Sequence, residues 1–205
     1  MKPRRRVAVL VSGRGSNLGA LIAAAAVADY PAEIALVLSN VPEAGGLVLA
    51  RDHGIAAEVI DHRPFGRDRA AHEAAIDARL HEARIGFVCL AGYMRRLTPL
   101  LVDRWAGRMI NIHPSLLPSF PGLDTHARAL AAGVKIHGCT VHEVTAGVDE
   151  GPILGQAAIA VRPDDDAHSL AARVLEQEHR LYPAVLRRAL EEGGERPQAE
   201  PLLSF

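Results

Sequence analysis

Three polar residues in the second half of the chain, Asn111, His113 and Asp149, are of the types that donate hydrogen bonds to a substrate or carry protons in catalysis. Asn111 and His113 stand two positions apart in the apolar run 108–113, so in a strand both side chains project from the same face. An amide donor beside an imidazole stabilises a developing oxyanion and moves a proton. The alternative is a polar edge strand whose histidine caps the following loop.

Asp149 is the candidate partner of His113. It lies in the segment 145–152, in which Gly147 and Gly151 permit a tight turn that presents a carboxylate. A carboxylate within hydrogen-bond distance of an imidazole raises the imidazole pKa and fixes the orientation of the ring. We therefore predict a pair between Asp149 and His113, with an ordinary Asx turn between two strands as the alternative.

A glycine-rich loop, Ser-Gly-Arg-Gly-Ser-Asn-Leu-Gly at 12–19, follows an apolar run and precedes an alanine-rich one. Between a strand and a helix, such a loop holds an anion with its backbone N–H groups. Its glycine spacing differs from the dinucleotide pattern, and Ser39-Asn40 stands where such a site needs an acidic residue. The ligand still compatible with this loop is a single phosphate, held by Gly15, Ser16 and Asn17. The alternative is a tight turn in which Ser16 or Asn17 caps the helix.

Metal and nucleophile chemistries are less well supported. Four histidines fall close together in the sequence, but their spacing matches no zinc-binding pattern, so we predict no metal. A Gly-x-Ser-x-Gly motif is absent, and both cysteines lie in apolar runs typical of core positions. The residues concerned are His113, His126, His137 and His142, with Cys89 and Cys139.

The composition excludes several classes of protein. The 205 residues carry 23 Lys and Arg against 24 Asp and Glu, so the net charge of −1 argues against nucleic acid as the main partner. The longest apolar stretch, 18–28, is about half of what a bilayer span requires, so no membrane partner is expected. Two cysteines without CxxC spacing and a basic start without an apolar leader region favour a reduced, cytoplasmic protein.

Strand and helix patterns alternate along the first half, which is typical of βαβ units and a parallel sheet. We predict strands at 6–11, 33–39, 57–60 and 85–91, and helices after the glycine loop and at 45–53 and 67–83.

The second half has a different pattern. Strand 108–113 leads into a loop at 114–122 whose three prolines make it stiff and suited to form a site wall. Two antiparallel strands, a helix and a polar tail are predicted at 137–144, 153–161, 164–190 and 191–205. The fold class is therefore α/β: one Rossmann-like domain with a mainly parallel sheet, helices on both faces and antiparallel strands in the C-terminal half.

Four motifs together resemble those of the folate-dependent formyltransferases, in particular the members that act on phosphoribosylglycinamide in purine synthesis. They occupy 11–18, 90–95, 111–118 and 149–152, and a fifth similarity covers 177–179 before Tyr182-Pro183. Order and spacing agree from about 6 to 190. The resemblance implies a formyltransferase domain at 1–190, with a phosphate-binding half at about 1–100 and a folate-binding, catalytic half at about 101–190.

The resemblance also implies roles for single residues. Asn111, His113 and Asp149 correspond to the catalytic trio, and the family's phosphate loop falls on Gly15, Ser16 and Asn17. Glu178 corresponds to a ribose contact. The implied contacts of 10-formyltetrahydrofolate are Arg69, Met94, Arg95, Arg96, Leu97, Asn111, Thr145, Ala146, Gly147, Val148 and Asp149.

The implied reaction is direct attack of the substrate amine on the formyl carbon, without a metal or a covalent enzyme intermediate. Asn111 and a protonated His113 would stabilise the oxyanion, and Asp149 would keep the imidazole charged. The chain departs from the family pattern at two places in the implied folate site. Arg69 aligns with a folate-binding arginine of some relatives only if one residue is inserted, and Asp124 stands where some relatives have histidine.

Three other functions compete with this one. A deformylase would use a similar trio with water as acceptor, but such relatives carry an N-terminal regulatory domain for which no room is expected before residue 6. Formyltransferases acting on tRNA carry a further C-terminal domain. A non-catalytic nucleotide-sugar binding module would leave the trio unexplained. We expect small-molecule substrates and a monomer or homodimer.

Overall fold

A computed structural model describes residues 3–191 of the chain. The strands are β1 (Arg5–Val11), β2 (Ala32–Ser39), β3 (Ala56–Val59), β4 (Phe87–Leu90), β5 (Met109–His113), β6 (Ile136–Glu143) and β7 (Ile153–Ala160). The helices are α1 (Ser16–Ala25), α2 (Gly45–Asp52), α3 (Arg69–Glu82), α4 (Pro99–Arg104), α5 (Thr125–Ala131) and α6 (Ala167–Glu191), with a 3₁₀ turn at Arg63–Phe65. The chain divides between Ile110 and Asn111 into two compact units.

The seven strands follow the hydrogen-bonded order β3-β2-β1-β4-β5-β6-β7. Strand β1 pairs in parallel with β2 and with β4, and β2 pairs in parallel with β3. Strands β6 and β7 pair antiparallel. The predicted class, a mainly parallel α/β sheet with antiparallel strands in the C-terminal half, is confirmed.

The first unit has β1 at the centre of its parallel strands. Residues Val7 to Val11 are completely buried, as a continuous apolar run in a strand covered on both faces must be. Leu18 and Leu21 of α1 are also completely buried. The apolar core thereby holds the carboxyl end of β1, where the glycine-rich loop begins.

The second unit places α6 against the antiparallel pair β6 and β7. Leu170, Val174 and Tyr182 of α6 are completely buried. The start of this helix is stabilised by Asp166, whose Oδ1 accepts hydrogen bonds from the backbone N–H groups of His168 and Ser169. Asp166 therefore acts as the cap of α6, and its negative charge suits the positive end of the helix.

Some element bounds differ from the sequence prediction. Helix α6 begins at Ala167 rather than 164, because Asp166 caps it from outside, and it continues through Glu191. Helices α4 and α5 were not predicted, since six and seven residues are too few to show an apolar period. The rest of the predicted tail, 192–205, lies outside the described residues. Within 3–191, no helix is both long and apolar enough to span a membrane.

Candidate active site

His113 is the last residue of β5 and is buried with only 5% of its surface exposed. Its Nδ1 lies 3.3 Å from Oδ2 of Asp149. Its Nε2 lies 3.0 Å from the carbonyl oxygen of Phe120. Both ring nitrogens therefore face oxygen atoms that can only accept. A neutral imidazole supplies a proton to one of them, whereas an imidazolium supplies both.

Asp149 reaches this position from the loop between β6 and β7 with a left-handed backbone, φ 56°. Its Oδ2 also accepts a hydrogen bond of 2.8 Å from the N–H of Gly122, and its Oδ1 lies 3.6 Å from Nε2 of His142. Burial alone would raise the pKa of Asp149, but His142, the Gly122 N–H and His113 together lower it below its usual 3.8. Asp149 is therefore a carboxylate at neutral pH.

Burial acts on His113 in a way that the sequence does not show. Burial lowers the pKa of His113 below its usual 6.5, while the Phe120 carbonyl and Asp149 oppose this effect without reversing it. Asp149 acts in the expected direction, but desolvation of the ring is the larger effect. Burial therefore opposes the protonation of His113 that Asp149 favours.

Asn111 lies two residues before His113 in β5, and its Nδ2 is 3.2 Å from Nε2 of His142. His142 is thus within 4 Å of both Asn111 and Asp149. The structure brings the three predicted residues into one cluster. Asp149 contacts His113 directly, and Asn111 contacts His142, which in turn lies near Asp149.

The proline-rich loop 114–122 is fastened to β6 and β7. The Thr140 hydroxyl donates to the carbonyl of Ser115 at 2.6 Å and accepts from the N–H of Leu117 at 3.0 Å. The amide of Gln156 donates to the Leu117 carbonyl at 2.8 Å. These bonds fix the part of the loop that follows His113.

Arg128 of α5 holds the far part of the same loop. Its guanidinium donates to the carbonyl oxygens of Pro121, at 2.5 Å, and Leu123, at 3.2 Å, and lies over the ring of Phe120. The loop therefore carries the Phe120 carbonyl to His113 and the Gly122 N–H to Asp149 in a fixed arrangement.

The glycine-rich loop lies in the first unit, between β1 and α1. Gly15 has φ 83° and is the N-cap residue of α1, which begins at Ser16. A Cβ on Gly15 would lie 2.7 Å from Cα of Gly46, so only glycine fits there. No side chain caps α1, and the alternative reading in which Ser16 or Asn17 caps it is wrong, because these residues already belong to the helix. The N-terminus of α1, with its positive end, therefore begins directly at the glycine-rich loop.

A pocket of about 190 Å³ opens at this loop. Ser12 of the pocket wall is held by two hydrogen bonds. Its hydroxyl accepts from the N–H of Met94 at 2.8 Å and donates to Oδ1 of Asn40 at 2.5 Å. The pocket is lined by Ser12, Gly13, Arg14, Gly15, Ser16, Asn17, Ala91, Gly92 and Met94. Exposed Arg14 adds a positive charge to the helix N-terminus, so the pocket suits an anion.

The remaining predicted residues are distributed over both units. In the first, Arg69 is the exposed first residue of α3, Met94 and Arg96 are exposed, and Arg95 and Leu97 are half-buried. In the second, Thr145, Ala146 and Val148 are exposed and Gly147 is half-buried, all in the segment that carries Asp149.

Glu178 is buried within α6 and acts electrostatically on the thiol of Cys139 in β6. Burial is the main reason why the pKa of this thiol is raised, with Glu178 adding to the effect. Cys89 and Cys139 are both buried and unoxidised, which confirms them as core residues. Among residues 3–191, no three His, Cys, Asp or Glu side chains are arranged to hold a metal ion.

Sequence reasoning missed several groups that the structure adds to the site. His142 was considered only as a metal ligand, although its place near the end of a strand before the Asp149 turn is a usable signal. Arg14 was passed over as part of a turn. The Phe120 carbonyl and the Gly122 N–H are backbone groups, and no residue type indicates where they point.

Comparison with known proteins identifies the family. Residues 5–186 match the family described as formyl transferase. A phosphoribosylglycinamide formyltransferase from Haemophilus influenzae is 42% identical over 89% of this chain and 86% of its own length. A solved phosphoribosylglycinamide formyltransferase from Brucella melitensis is 53% identical, with TM-score 0.87, over 91% of this chain and 96% of that one.

Longer proteins contain a similar segment. The trifunctional purine biosynthetic protein adenosine-3 of Drosophila melanogaster is 48% identical over 89% of this chain, but the chain spans only 14% of that protein. The Haemophilus influenzae and Brucella melitensis proteins, by contrast, are matched along most of their length. The chain therefore belongs to the formyl transferase family.

Proposed function

We propose that this enzyme transfers the formyl group of 10-formyltetrahydrofolate to the amine of phosphoribosylglycinamide. The observation that carries the proposal is the cluster of Asn111, His113 and Asp149, with His113 buried between two acceptors. These groups supply a hydrogen-bond donor for the oxyanion and a proton carrier. Attack of an amine on a formyl carbon requires both.

The reaction begins when the lone pair of the primary amine attacks the formyl carbon. The carbonyl double bond becomes an oxyanion, and an N–H of Asn111 donates to it. One N–H of the carboxamide is directed at His142, so the second is available for the oxyanion. A donor placed for the developing charge contributes most when it is held in position beforehand.

His113 moves the proton. Because burial lowers its pKa, the imidazole starts neutral and accepts a proton from the attacking nitrogen. The resulting imidazolium is stabilised by Asp149, 3.3 Å from Nδ1. Nε2 is the nitrogen directed away from Asp149. When substrate binds, Nε2 gives up its contact with the Phe120 carbonyl and contacts the substrate nitrogen instead. The oxyanion then re-forms the carbonyl as the bond between the formyl carbon and N10 breaks, and His113 delivers the proton to N10. Tetrahydrofolate leaves, and the substrate amine carries the formyl group.

The glycine-rich loop holds the substrate phosphate in this proposal. The backbone N–H groups from Gly15 to Asn17 and the positive end of α1 supply the donors, with Arg14 as an added cation. Glu178 contacts the ribose. The folate is held by Arg69 and by the segments 94–97 and 145–149, in which Met94, Arg96, Thr145 and Val148 are exposed.

The reaction needs no metal, and we place the enzyme in the cytoplasm. A coupled absorbance assay with 10-formyl-folate tests the proposal, run with and without phosphoribosylglycinamide. Release of the deformylated folate only with the amine supports the transferase. Folate consumption without the amine indicates a deformylase, and no turnover by the folded protein in either mixture contradicts both enzymes.

A further inference from the structure

We propose that His142 is a positioning residue for the reaction, because its imidazole fixes the carboxamide of Asn111 in the orientation that directs an N–H to the oxyanion. The inference rests on the proposed function. It concerns a residue that does not touch the reacting atoms but contacts Asn111, which does.

The hydrogen bonds of His142 determine its tautomer. The ring is 3% exposed, so its nitrogens find their partners within the protein. Nδ1 lies 2.8 Å from the carbonyl oxygen of Glu143, which can only accept. Nδ1 therefore carries a proton, and in the neutral ring Nε2 has a lone pair.

The lone pair on Nε2 decides the orientation of Asn111. At 3.2 Å from Nε2, the carboxamide must present its NH₂ rather than its oxygen, because two acceptors would repel each other. The carboxamide is planar, so fixing one N–H fixes the second. An asparagine without this partner can rotate by half a turn and direct its oxygen at the oxyanion, which would repel it.

The competing partner of Nε2 is Asp149, whose Oδ1 lies 3.6 Å away. That distance exceeds a hydrogen bond, whereas the distance to Asn111 does not. Oδ2 of Asp149 is already bonded to Gly122 and close to His113. The geometry therefore assigns Nε2 of the neutral ring to Asn111. Only a His142 ring with a proton on Nε2 could direct it at Oδ1 of Asp149, which is the interaction that lowers the pKa of that carboxyl.

Two nearly isosteric substitutions separate the two bonds of His142. In His142→Gln the side-chain oxygen reaches the place of Nε2 and still accepts from Asn111, but the bond to Glu143 is lost. In His142→Asn the amide takes the place of Nδ1 and keeps the bond to Glu143, but it does not reach Asn111. If His142 acts only structurally, through its bond to Glu143, the Asn variant should keep more activity. If His142 positions Asn111, the Gln variant should keep more activity.

We expect His142→Asn to lower kcat by about 10- to 100-fold, as a displaced catalytic group does, with little change in KM for either substrate. His142→Gln retains most of kcat. Val141→Ala, a buried apolar change next along β6, controls for lost stability and retains kcat. Equal losses in the two His142 variants, or a larger loss in the Gln variant, would overturn the proposal.

A second readout does not depend on turnover. Nitrogen-15 spectra of the imidazoles in the folded wild-type protein distinguish the two neutral tautomers and the imidazolium. A neutral His142 ring with its proton on Nδ1 supports the proposal, and a proton on Nε2 at neutral pH overturns it. If the wild-type enzyme lacks amine-dependent turnover, the proposed function fails, while the spectrum still decides the geometry of His142.

Discussion

His113 and Asp149 meet at 3.3 Å, and the charges around this pair act on the imidazole in opposite directions. Asp149 raises the pKa of His113, whereas the guanidinium of Arg128 lowers it. Burial exceeds each of these influences and lowers the net pKa. The pair therefore combines a carboxylate that stabilises the imidazolium with an environment that keeps the resting ring neutral, which suits a group that must first accept a proton and then release it.

Replacing His113 with alanine removes the proton carrier. We expect kcat to fall by about 10²–10⁴-fold, the range for a positioned acid–base group, with the fold retained. Steady-state kinetics and a circular dichroism spectrum of the variant check this. Near-normal turnover in a folded variant would remove His113 from the mechanism.

Replacing Asp149 with asparagine removes the charge that raises the pKa of His113. The imidazole then loses its proton at a lower pH than in the wild type. Because the neutral ring is the form that accepts the proton, the acidic limb of the kcat/KM profile should move to lower pH while the maximum falls. The measurement is kcat/KM against pH, and an unchanged limb would contradict the pairing.

Arg128→Gln should shift the same limb in the other direction. The Arg128 charge lowers the pKa of His113, so its removal raises this pKa and moves the acidic limb to higher pH. Arg128→Lys is the matched control: it retains the charge and so the position of the limb, but loses the paired bonds to Pro121 and Leu123. A limb that moves equally in both variants would show that the loop, and not the charge, sets the shift.

The strands of the parallel sheet were predictable from the sequence because each is a short apolar run between turn residues. Residues 6–11 and 33–39 differ from β1 and β2 by one residue at most. The short helices α4 and α5 were not predictable from the sequence, because their formation depends on packing and on the loops that precede them.

The site was predictable where it depends on residue type and spacing. Asn111 and His113 follow from strand alternation, and the approach of Asp149 follows from a turn that can present a carboxylate. The charge of His113 was not predictable, because it depends on how much water the fold removes from the ring. The role of His142 likewise depends on which nitrogen faces Glu143, a fact of three-dimensional geometry.

Gly15→Ala tests the phosphate loop. Its φ of 83° strains any other residue by about 1–3 kcal/mol, and the added Cβ would lie 2.7 Å from Gly46 Cα. The loop must shift, so KM for phosphoribosylglycinamide should rise by about 3- to 30-fold, the range of a helix-terminus contact, with KM for the folate nearly unchanged. Gly54→Ala is the control, since Gly54 has φ 70° in open space. Equal effects on both KM values would contradict the phosphate assignment.

His137→Gln should make the stability of the protein less dependent on pH. Burial, with a smaller effect of His126, lowers the pKa of His137 from 6.5 to about 4. The unfolded chain therefore binds a proton that the native chain does not, and stability is lost as the pH falls from 6.5 towards 4. One such group contributes a slope of about 1.4 kcal/mol per pH unit. Denaturant unfolding between pH 6.5 and about 5 should show a shallower slope in His137→Gln.

The control for this experiment is Val141→Ala, which removes buried apolar surface from the same strand without removing a titratable group. It should lower the free energy of unfolding by a similar amount at every pH and leave the slope as in the wild type. A slope in His137→Gln equal to that of Val141→Ala would mean that His137 is protonated alike in both states. Since His137 is only 1% exposed, an imidazolium there would lose most of its hydration, and this cost is the main reason why the neutral ring is favoured in the native state.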